Sequence, residues 1–563
     1  NFNIILFKHE IPLMKRAFCI FAALLHEQKL GMEITTKLLL NFKEWKFHYP
    51  PSYAELPIEE VQHYRMPVAV KNAVFSKVPT DPLTGDLDLV CFSDDVLANI
   101  LDLDPSVSEE KEFVDFVAGN YTPAGSLSVS HRYGGYQFGY WADQLGDGRA
   151  HLLGEYINRK GELWQPQLKG SGETPFSRFG DGRAVLRSSI REMIASEACH
   201  YLGIPTTRAA ALVVSREVKV WRDKSYTGQA KQENAAIVMR LAPAWYRLGS
   251  IEILYKRNEP HTMKTLVDFI IKHHFPSIDS SDDDKYVKWY KEVAHRNLDM
   301  VATWQGLGFT HGVLNTDNVS VLGLTIDYGP YGFIDHYYDN YVPNTSDDMG
   351  RYAFNKQPAI IIWNLGKFAE ALSPILTKEQ GEKIKEIAGT FEEYVMKKIL
   401  QTYLLKLGLK EIQDGDGYLV QSLLKALQQT MADFTATFRQ LAEVNPDQLL
   451  DESVLKEKWS LNKVRTCTNW REWVETYKER LDKERISEVE RRERMNRVNP
   501  IYVPRNWILQ EAIAQAEKGD FEKVRFLLKL FKNPFEDNEE AEKLGYSSQP
   551  PSWSYGLKLS CSS

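Results

Sequence analysis

Two acidic residues and an amide lie close together in one stretch of this chain, next to glycine turns. The stretch has the sequence HGVLNTDN from His311 to Asn318, and Asp327-Tyr328-Gly329 follows it. Carboxylate and amide oxygens are ligands for Mg²⁺, and a carboxylate beside a hydroxyl group accepts its proton. These residue types at this spacing predict a site that holds Mg²⁺ on a nucleotide and activates a hydroxyl group.

The order of these residues departs from that of ordinary kinases, which have a catalytic Asp before the Mg-binding Asn and the Asp-x-Gly triplet. In small-molecule kinases of this type the Asp lies two residues after the His, where this chain has Val313. Either the site is inactive or Asp317 has a different role. The apolar run from Val319 to Ile326 predicts a short strand pair that brings both acidic clusters to one cleft.

A lysine and a glutamate upstream fit the same kind of site. Lys169 ends the extended run WQPQLK, the setting of the strand lysine that contacts nucleotide phosphates in kinases, and Glu192 follows on the next predicted helix as its partner. Alone, each is more typical of a surface charge. Together with the acidic clusters they favour a nucleotide site.

The pentapeptide GDGRA occurs twice, at residues 146–150 and 180–184, on either side of the lysine. Gly-x-Gly lets backbone N–H groups approach an anion, and the following Arg can bind phosphate oxygens. Each copy alone is more often a tight turn. Arg240 ends an apolar run and Arg247 follows two aromatic residues; for both, phosphate binding and a structural role such as ring stacking stay equally open.

The composition indicates an ordinary globular protein. Of the 563 residues, 43% are hydrophobic and 26% are charged. The net charge of −7 and the pI near 6.1 argue against nucleic acid or an anionic membrane as the main partner. Five widely spaced cysteines without a CxxC motif disfavour a zinc site or a disulfide framework and suit a reducing compartment.

The spacing of apolar residues and the positions of Gly and Pro predict the elements that must position these residues. A helix is expected over Leu186–Leu202, ended by Gly203-Ile204-Pro205, and a polar surface loop over 222–234. Further helices are expected on both sides of the acidic loop 280–284 within 262–305, over 360–445 and 450–497, and around Gly519-Asp520.

The N-terminus carries Met14-Lys15-Arg16 and an apolar run over 17–25, which superficially looks like a signal peptide. The run is too short to span a bilayer as a helix, which needs about 20 residues. Residues 1–60 are expected to be an extension, either a removable organellar presequence, or read-through or a poorly ordered addition. We expect a mitochondrial protein if a presequence is present and a cytoplasmic one otherwise.

Several long runs carry a family resemblance. They are SHRYGGYQFGYWADQLGDGRAHLLGE, QLKGSGETPFSRFGDGRAVLRSSIREMIASEACHYLGIPTTRA, HGVLNTDNVSVLGLTIDYGPYGFID and GRYAFNKQPAIIIWNLGKFAEAL, with NPIYVPRNWILQEAI and NPFED near the end. Over roughly residues 60–563 the chain resembles selenoprotein O, the YdiU family of bacteria and organelles. Cys561, third from the end, stands where eukaryotic relatives often have selenocysteine.

The resemblance implies an α+β, protein-kinase-like fold of two lobes with an added helical C-terminal region. After the extension over 1–60, the implied parts are a lead-in segment over 61–125, an N-lobe over 126–247, a C-lobe over 248–400 with the catalytic and metal residues, and a helical region with a Cys-containing tail over 401–563.

The family binds ATP in an inverted orientation and transfers AMP, rather than phosphate, to Ser, Thr or Tyr hydroxyls of proteins. The resemblance assigns proton acceptance to Asp317 and Mg²⁺ binding to Asn318 and Asp327. Around the nucleotide it implies Gly146, Gly148, Arg149, Lys169, Asp181, Gly182, Glu192 as the partner of Lys169, and Asp327, with Arg240 and Arg247 on the phosphates.

AMP transfer would also explain Val313. The hydroxyl attacks the α-phosphorus while pyrophosphate leaves, so charge builds on the leaving phosphates, where Mg²⁺ and Arg or Lys lower the barrier. The proton acceptor then lies elsewhere than in a kinase, and Asp317 can supply it. Two alternatives stay open, namely a conventional hydroxyl kinase and an inactive pseudokinase that binds nucleotide as a scaffold.

The expected partners are proteins with exposed hydroxyl groups, without nucleic acid and without stable membrane insertion. A redox partner is a further expectation, because a tail thiol at Cys561 could form a reversible disulfide. Some bacterial relatives have a cysteine before the Asn-x-Ser-Asp segment, where this chain has Tyr341-Val342-Pro343. The disulfide would then need Cys467, Cys199 or another protein, and an unreactive thiol is the equal alternative.

Overall fold

The structure is a computed structural model that describes residues 37–60, 68–223, 228–557 and 559. Residues 1–36, which make up most of the expected N-terminal extension, lie outside the described residues, and so does Cys561. The presequence and the redox role of the tail therefore stay predictions.

Fourteen β-strands occur in the described part of the chain. In chain order, β1 to β14 are Ile58–Glu60, Phe75–Lys77, Leu87–Phe92, Val129–His131, Gly134–Gln137, Tyr140–Gln144, Ala150–Leu152, Tyr156–Ile157, Leu163–Lys169, Ala184–Val185, Arg208–Arg222, Lys231–Ala242, Phe309–Thr310 and Gly332–Phe333.

Ten of these strands form one sheet in the order β1-β2-β4-β7-β9-β12-β11-β3, with β8 beside β9 and β10 beside β12. β1 and β2 are parallel, and the central pairs of β9, β12 and β11 are antiparallel. The expected lead-in segment over 61–125 supplies β2 and the edge strand β3, so it is built into the sheet. β5 and β6 form a separate hairpin, which contacts the site described below.

Eighteen α-helices occur in the same described ranges. In chain order, α1 to α18 are Asp94–Asn99, Lys111–Val117, Leu186–Tyr201, Leu248–Lys256, Pro260–His274, Lys285–Leu307, Gln357–Leu372, Lys378–Ala388, Phe391–Lys406, Asp416–Thr430, Phe434–Glu443, Glu452–Leu455, Trp459–Val464, Trp470–Glu484, Glu488–Asn496, Asn506–Ala516, Glu522–Lys532 and Glu539–Lys543.

The sheet and the helices share one large apolar core. α3 packs on β11 and β12, and α17 packs on α3 and on the edge strand β3. Helices α9 to α15 enclose a second apolar cluster. The expected α+β class is confirmed by the large sheet and the many helices. Among the described residues, no helix combines the length and the apolar composition that a membrane crossing requires.

The predicted helices are confirmed where the apolar pattern is long. α3 begins at Leu186 and ends at Tyr201, and Gly203 adopts a φ of +82° just beyond it, a conformation that glycine takes without strain. α5 and α6 lie on the two sides of the acidic loop 280–284. α16 and α17 flank Gly519-Asp520 as expected.

Two local predictions are wrong. The polar segment 222–234 is only partly a loop, because Lys231–Asn234 pairs with Lys219–Arg222 as the outer end of the β11–β12 hairpin. Its side chains are polar because the hairpin extends beyond the core there. The run from Val319 to Ile326 makes only single bridges, to residues 247 and 206, rather than a strand pair. Its buried side chains pack into the main core instead.

Candidate active site

A cavity of about 990 Å³ is lined by the end of β9, by α3 and β12, and by the segment 313–330. Every predicted site residue except Arg247 lines this cavity. The lining members of the predicted set are Gly146, Gly148, Arg149, Lys169, Asp181, Gly182, Glu192, Arg240, Asp317, Asn318 and Asp327. Residues that are up to 181 positions apart in the chain therefore share one concave site.

Lys169 and Glu192 form the ion pair that the sequence predicts. Lys169 is the last residue of β9, and Glu192 is in the second turn of α3. Lys169 Nζ lies 2.5 Å from Glu192 Oε2 and 3.6 Å from Asp327 Oδ1. Burial lowers the pKa of Lys169, although Glu192 opposes this shift. The ion pair thus fixes a cation at the cavity wall, beside the Asp327 carboxylate.

Arg240 and Arg247 hold the Asp327 carboxylate from two sides. Arg240 Nη1 donates to Glu192 Oε1 and to Asp327 Oδ1, each at 2.6 Å, and Arg247 Nη1 donates to Asp327 Oδ2. Burial alone would raise the pKa of Asp327, but the positive charges of Arg247, Lys169 and Arg240 hold it well below its usual value. The surroundings of Asp327 therefore favour the ionised form of its carboxyl group.

Both arginines also stack on aromatic rings. Arg240 lies over the ring of Trp245 at 4.7 Å, and Arg247 lies over Tyr133 at 4.5 Å. Arg247 does not line the cavity. It donates to the backbone carbonyl of Asp317 at 2.9 Å as well as to Asp327. Arg247 therefore connects the two acidic clusters from outside the cavity.

Asp317, unlike Asp327, forms no ion pair with a cation among the described residues. It is 5% exposed, and its Oδ1 has no hydrogen-bond partner among the described residues. Its Oδ2 accepts a hydrogen bond from Gln137 Nε2 at 3.3 Å. Burial raises the pKa of Asp317 to about 6. Two carboxyl groups whose pKa values are displaced in opposite directions are the usual mark of a proton-transferring acid beside a permanently ionised one.

His311 links the two acidic clusters through the backbone. Its Nε2 lies 2.9 Å from the carbonyl oxygen of Ile326, directly before Asp327. Asn318 Nδ2 donates to the carbonyl oxygen of Val313 at 3.0 Å. This hydrogen bond occupies the amide nitrogen of Asn318 and leaves its amide oxygen available as a ligand for a cation.

The oxygens of Asn318 and Asp327 are of the kind that Mg²⁺ binds. Mg²⁺ usually takes one or two side-chain oxygens, with waters and substrate phosphates completing its shell. In the described ranges no group of three or more His, Cys, Asp or Glu residues could hold a metal. Asn318 and Asp327 supply two side-chain oxygens, which is within the number that Mg²⁺ usually takes from a protein.

The β5–β6 hairpin covers Asp317, and the sequence alone does not predict this contact. A Cβ atom at Gly135 would lie 2.4 Å from Asp317 Oδ1. Gln137 on the same strand donates to Asp317, and the Tyr136 N–H donates to Thr316 Oγ1 at 2.8 Å. The adjacent glycines at 134 and 135 are the one sequence signal for this close approach.

We expect Gly135→Ala to lower the turnover number about 10²-fold, because the added methyl group displaces the Asp317 carboxylate or the hairpin. Gly329→Ala is the matched control, since Gly329 lines the same cavity and a Cβ there meets no atom within 4 Å. Steady-state rates and thermal unfolding of both variants test this. Equal rates for the two variants would contradict the proposed contact.

The two GDGRA copies have different surroundings. Asp147 in the first copy is buried, with Arg247 Nη2 at 3.5 Å. Asp181 in the second copy accepts two hydrogen bonds of 2.7 Å from Arg222. Asp147, which the sequence prediction omits, thus belongs to the charged cluster, whereas Asp181 lies at the partly exposed rim.

The glycines of both copies are required by packing as well as by the cavity. A Cβ at Gly148 would lie 2.7 Å from the carbonyl oxygen of Phe176, and one at Gly182 would lie 2.1 Å from the carbonyl carbon of Gly172. The segment 172–177 therefore packs against both turns. The arginines of both copies, Arg149 and Arg183, line the cavity, and Arg183 also donates hydrogen bonds to Asp81.

Comparison with known proteins identifies the family of this chain. The family model described as "Protein adenylyltransferase SelO" matches residues 58–532. The chain belongs to the SelO family. A protein nucleotidyltransferase YdiU from Azoarcus sp. (strain BH72) is 42% identical over 88% of this chain and 95% of its own length. Those from Ectopseudomonas mendocina and Enterobacter sp. are 41% and 40% identical, over 84% and 83% of this chain and 93% and 92% of their own lengths.

The resemblance inferred from the sequence is thus confirmed, and so is the expectation of a nucleotidyltransferase. In this SelO-family chain, 11 of the 12 residues that the sequence prediction names line the cavity. It missed Gln137, Gly135, Asp147 and Thr316, which act on Asp317 and Asp327 through contacts between distant segments. The roles of the individual site residues stay predictions.

Proposed function

We propose that this chain is a Mg-dependent protein adenylyltransferase, which transfers AMP from ATP to Ser, Thr or Tyr hydroxyls of proteins and releases pyrophosphate. The observation that carries the proposal is the pair of cavity carboxyl groups, one with a raised and one with a lowered pKa. A protein-kinase-like arrangement of two lobes, 126–247 and 248–400, is part of the same proposal. It is supported by a cavity that sheet residues line on one side and residues 313–330 on the other.

Each step is assigned to residues of this chain. Asp317 accepts the proton of the attacking hydroxyl, because a carboxylate whose pKa lies near the working pH serves best as a general base. Lys169, Arg149 and Arg240 lie on the cavity wall, where they neutralise the phosphates. Arg247 orients Asp327 and the backbone of Asp317 from behind.

Asn318 and Asp327 are the residues that would hold Mg²⁺. A bound metal supplies Lewis-acid stabilisation of the charge that develops on the leaving phosphates. Asp327 suits this role because it stays ionised, whereas Asp317 suits proton transfer because it does not bind a cation of the protein through its carboxylate. The two acids therefore have separate tasks.

Labelled ATP tests the proposed reaction. Incubation of the protein with a mixture of potential acceptor proteins should transfer label from the α-phosphate and none from the γ-phosphate. Label from the γ-phosphate alone would replace the proposal with a conventional kinase. Nucleotide binding without transfer of either label would replace it with a pseudokinase scaffold.

The pH dependence of kcat/KM gives an independent prediction. Because Asp317 must be deprotonated to accept a proton, the rate should fall as the pH drops below about 6, the pKa of this group in the free enzyme. Gln137→Leu removes the hydrogen bond that favours the charged carboxylate, so the acid limb should move to higher pH. An acid limb that does not move would belong to another group.

A further inference from the structure

A buried carboxyl group that the proposed steps do not use lies next to the loop of Asp317. Glu252 is in the second turn of α4 and is 1% exposed. Its Oε2 accepts a hydrogen bond from Thr316 Oγ1 at 2.5 Å. Its Oε1 has no hydrogen-bond partner among the described residues. Burial of a carboxyl oxygen without a hydrogen-bond partner costs folding free energy, so packing alone gives no reason for an acid at this position.

Thr316 joins three elements through its hydroxyl group. The hydroxyl donates to Glu252 on α4 and accepts from the N–H of Tyr136 on β5, while Thr316 itself starts the 3₁₀ turn Thr316–Asn318. Both the hydrogen bond that the hydroxyl group donates and the one that it accepts are therefore made within the protein. The backbone that carries the next residue, Asp317, is fixed with it.

The same two elements also enclose Asp317 directly. A Cβ at Gly135 on β5 would lie 2.4 Å from Asp317 Oδ1, and a Cβ at Gly249 on α4 would lie 3.3 Å from Asp317 Cα. Gly249 precedes Glu252 by three residues, on the same helix face. Small shifts of α4 or of β5 would therefore move the carboxylate of Asp317.

We infer that Glu252 is a positioning residue for adenylyl transfer, which holds Asp317 in place through Thr316. This inference rests on the proposed function, since it assigns no separate reaction. Glu252 does not line the cavity, so it acts on the direction of the Asp317 carboxylate and not on the nucleotide.

The test compares substitutions that keep or remove the acceptor. Glu252→Gln retains an oxygen for the Thr316 hydroxyl, and Thr316→Ser retains the hydroxyl, so both should keep kcat within about threefold of the wild type. Glu252→Leu and Thr316→Val keep the approximate volume and remove the hydrogen bond. They should lower kcat at least about tenfold with little change in KM for ATP, as expected when a reacting group is misplaced.

Hydrogen exchange gives a second measurement that needs no activity. The amides of residues 134–138 and 315–318 should exchange faster in Glu252→Leu than in Glu252→Gln or the wild type. If wild-type protein transfers no α-label but the exchange differs as stated, the proposed function fails and the positioning contact stands. Unchanged exchange in Glu252→Leu, or equal losses in kcat for Glu252→Gln and Glu252→Leu, would overturn the inference.

Discussion

The Asp317→Asn variant is expected to transfer AMP about 10³-fold more slowly than the wild type, while its affinity for ATP stays within about threefold. The amide has nearly the size of the carboxyl group and still accepts the hydrogen bond from Gln137. It cannot take a proton from the attacking hydroxyl group. Because Asp317 makes no ion pair that the fold depends on, nucleotide binding should be retained.

Single-turnover rates with α-labelled ATP and direct titration of ATP in the presence of Mg²⁺ measure the two quantities separately. Asp348→Asn is the control, since this Asp is exposed outside the cavity lining, and it should behave like the wild type. A loss of ATP affinity in Asp317→Asn as large as the loss of rate would show that Asp317 is mainly a metal ligand.

Local patterns predicted the parts of the site that lie within one element or on two neighbouring elements. The pair of Lys169 and Glu192 could be predicted because a strand that ends in Lys and a long amphipathic helix are both recognisable in the sequence. The helix over 186–201 was confirmed for the same reason. The acidic clusters were recognised by residue type and by the family resemblance.

Contacts between distant segments could not be predicted in this way. Gln137 and Asp317 are 180 residues apart, and the glycines at 134 and 135 indicate a close approach without indicating which segment the hairpin packs against. The direction of Arg247, which faces Asp327 from behind and does not line the cavity, depends equally on tertiary packing. The polar residues at the outer end of the β11–β12 hairpin predict a loop, although pairing with the opposite strand is enough to order them.

The Asp327→Asn variant is expected to abolish transfer and also to lower the free energy of unfolding by about 3 kcal/mol. Its carboxylate faces Lys169, Arg240 and Arg247, so removal of the negative charge leaves these three buried cations with only the carboxylates of Glu192 and Asp147 as partners. The low pKa of Asp327 means that this contribution is complete above the unfolded-state pKa and is lost only as the pH falls below it. Denaturant unfolding at pH 7 measures the difference.

Asp317→Asn should have the opposite effect on stability, which makes the pair of variants a strict test. The pKa of Asp317 is raised to about 6, so its ionised form destabilises the fold at pH 7 to 8. The neutral variant should be more stable than the wild type by about 2 kcal/mol at pH 8, and the difference should shrink as the pH falls from 6 towards 4. The same sign of the change for both variants would contradict the assignment of separate tasks to the two acids.

Nucleotide binding by Asp327→Asn tests whether Asp327 holds the metal. In the wild type, Mg²⁺ should strengthen ATP binding, because a metal held by Asp327 would offset the repulsion between this carboxylate and the phosphates. In Asp327→Asn, ATP without metal should bind at least as tightly as in the wild type, since its phosphates meet Lys169 and Arg240 with no competing carboxylate. The Arg240→Met/Asp327→Asn double variant is the control and should regain part of the lost stability, because it removes a charge from each side of the broken pair. A wild-type dependence on Mg²⁺ that persists in Asp327→Asn would show that the metal is held elsewhere.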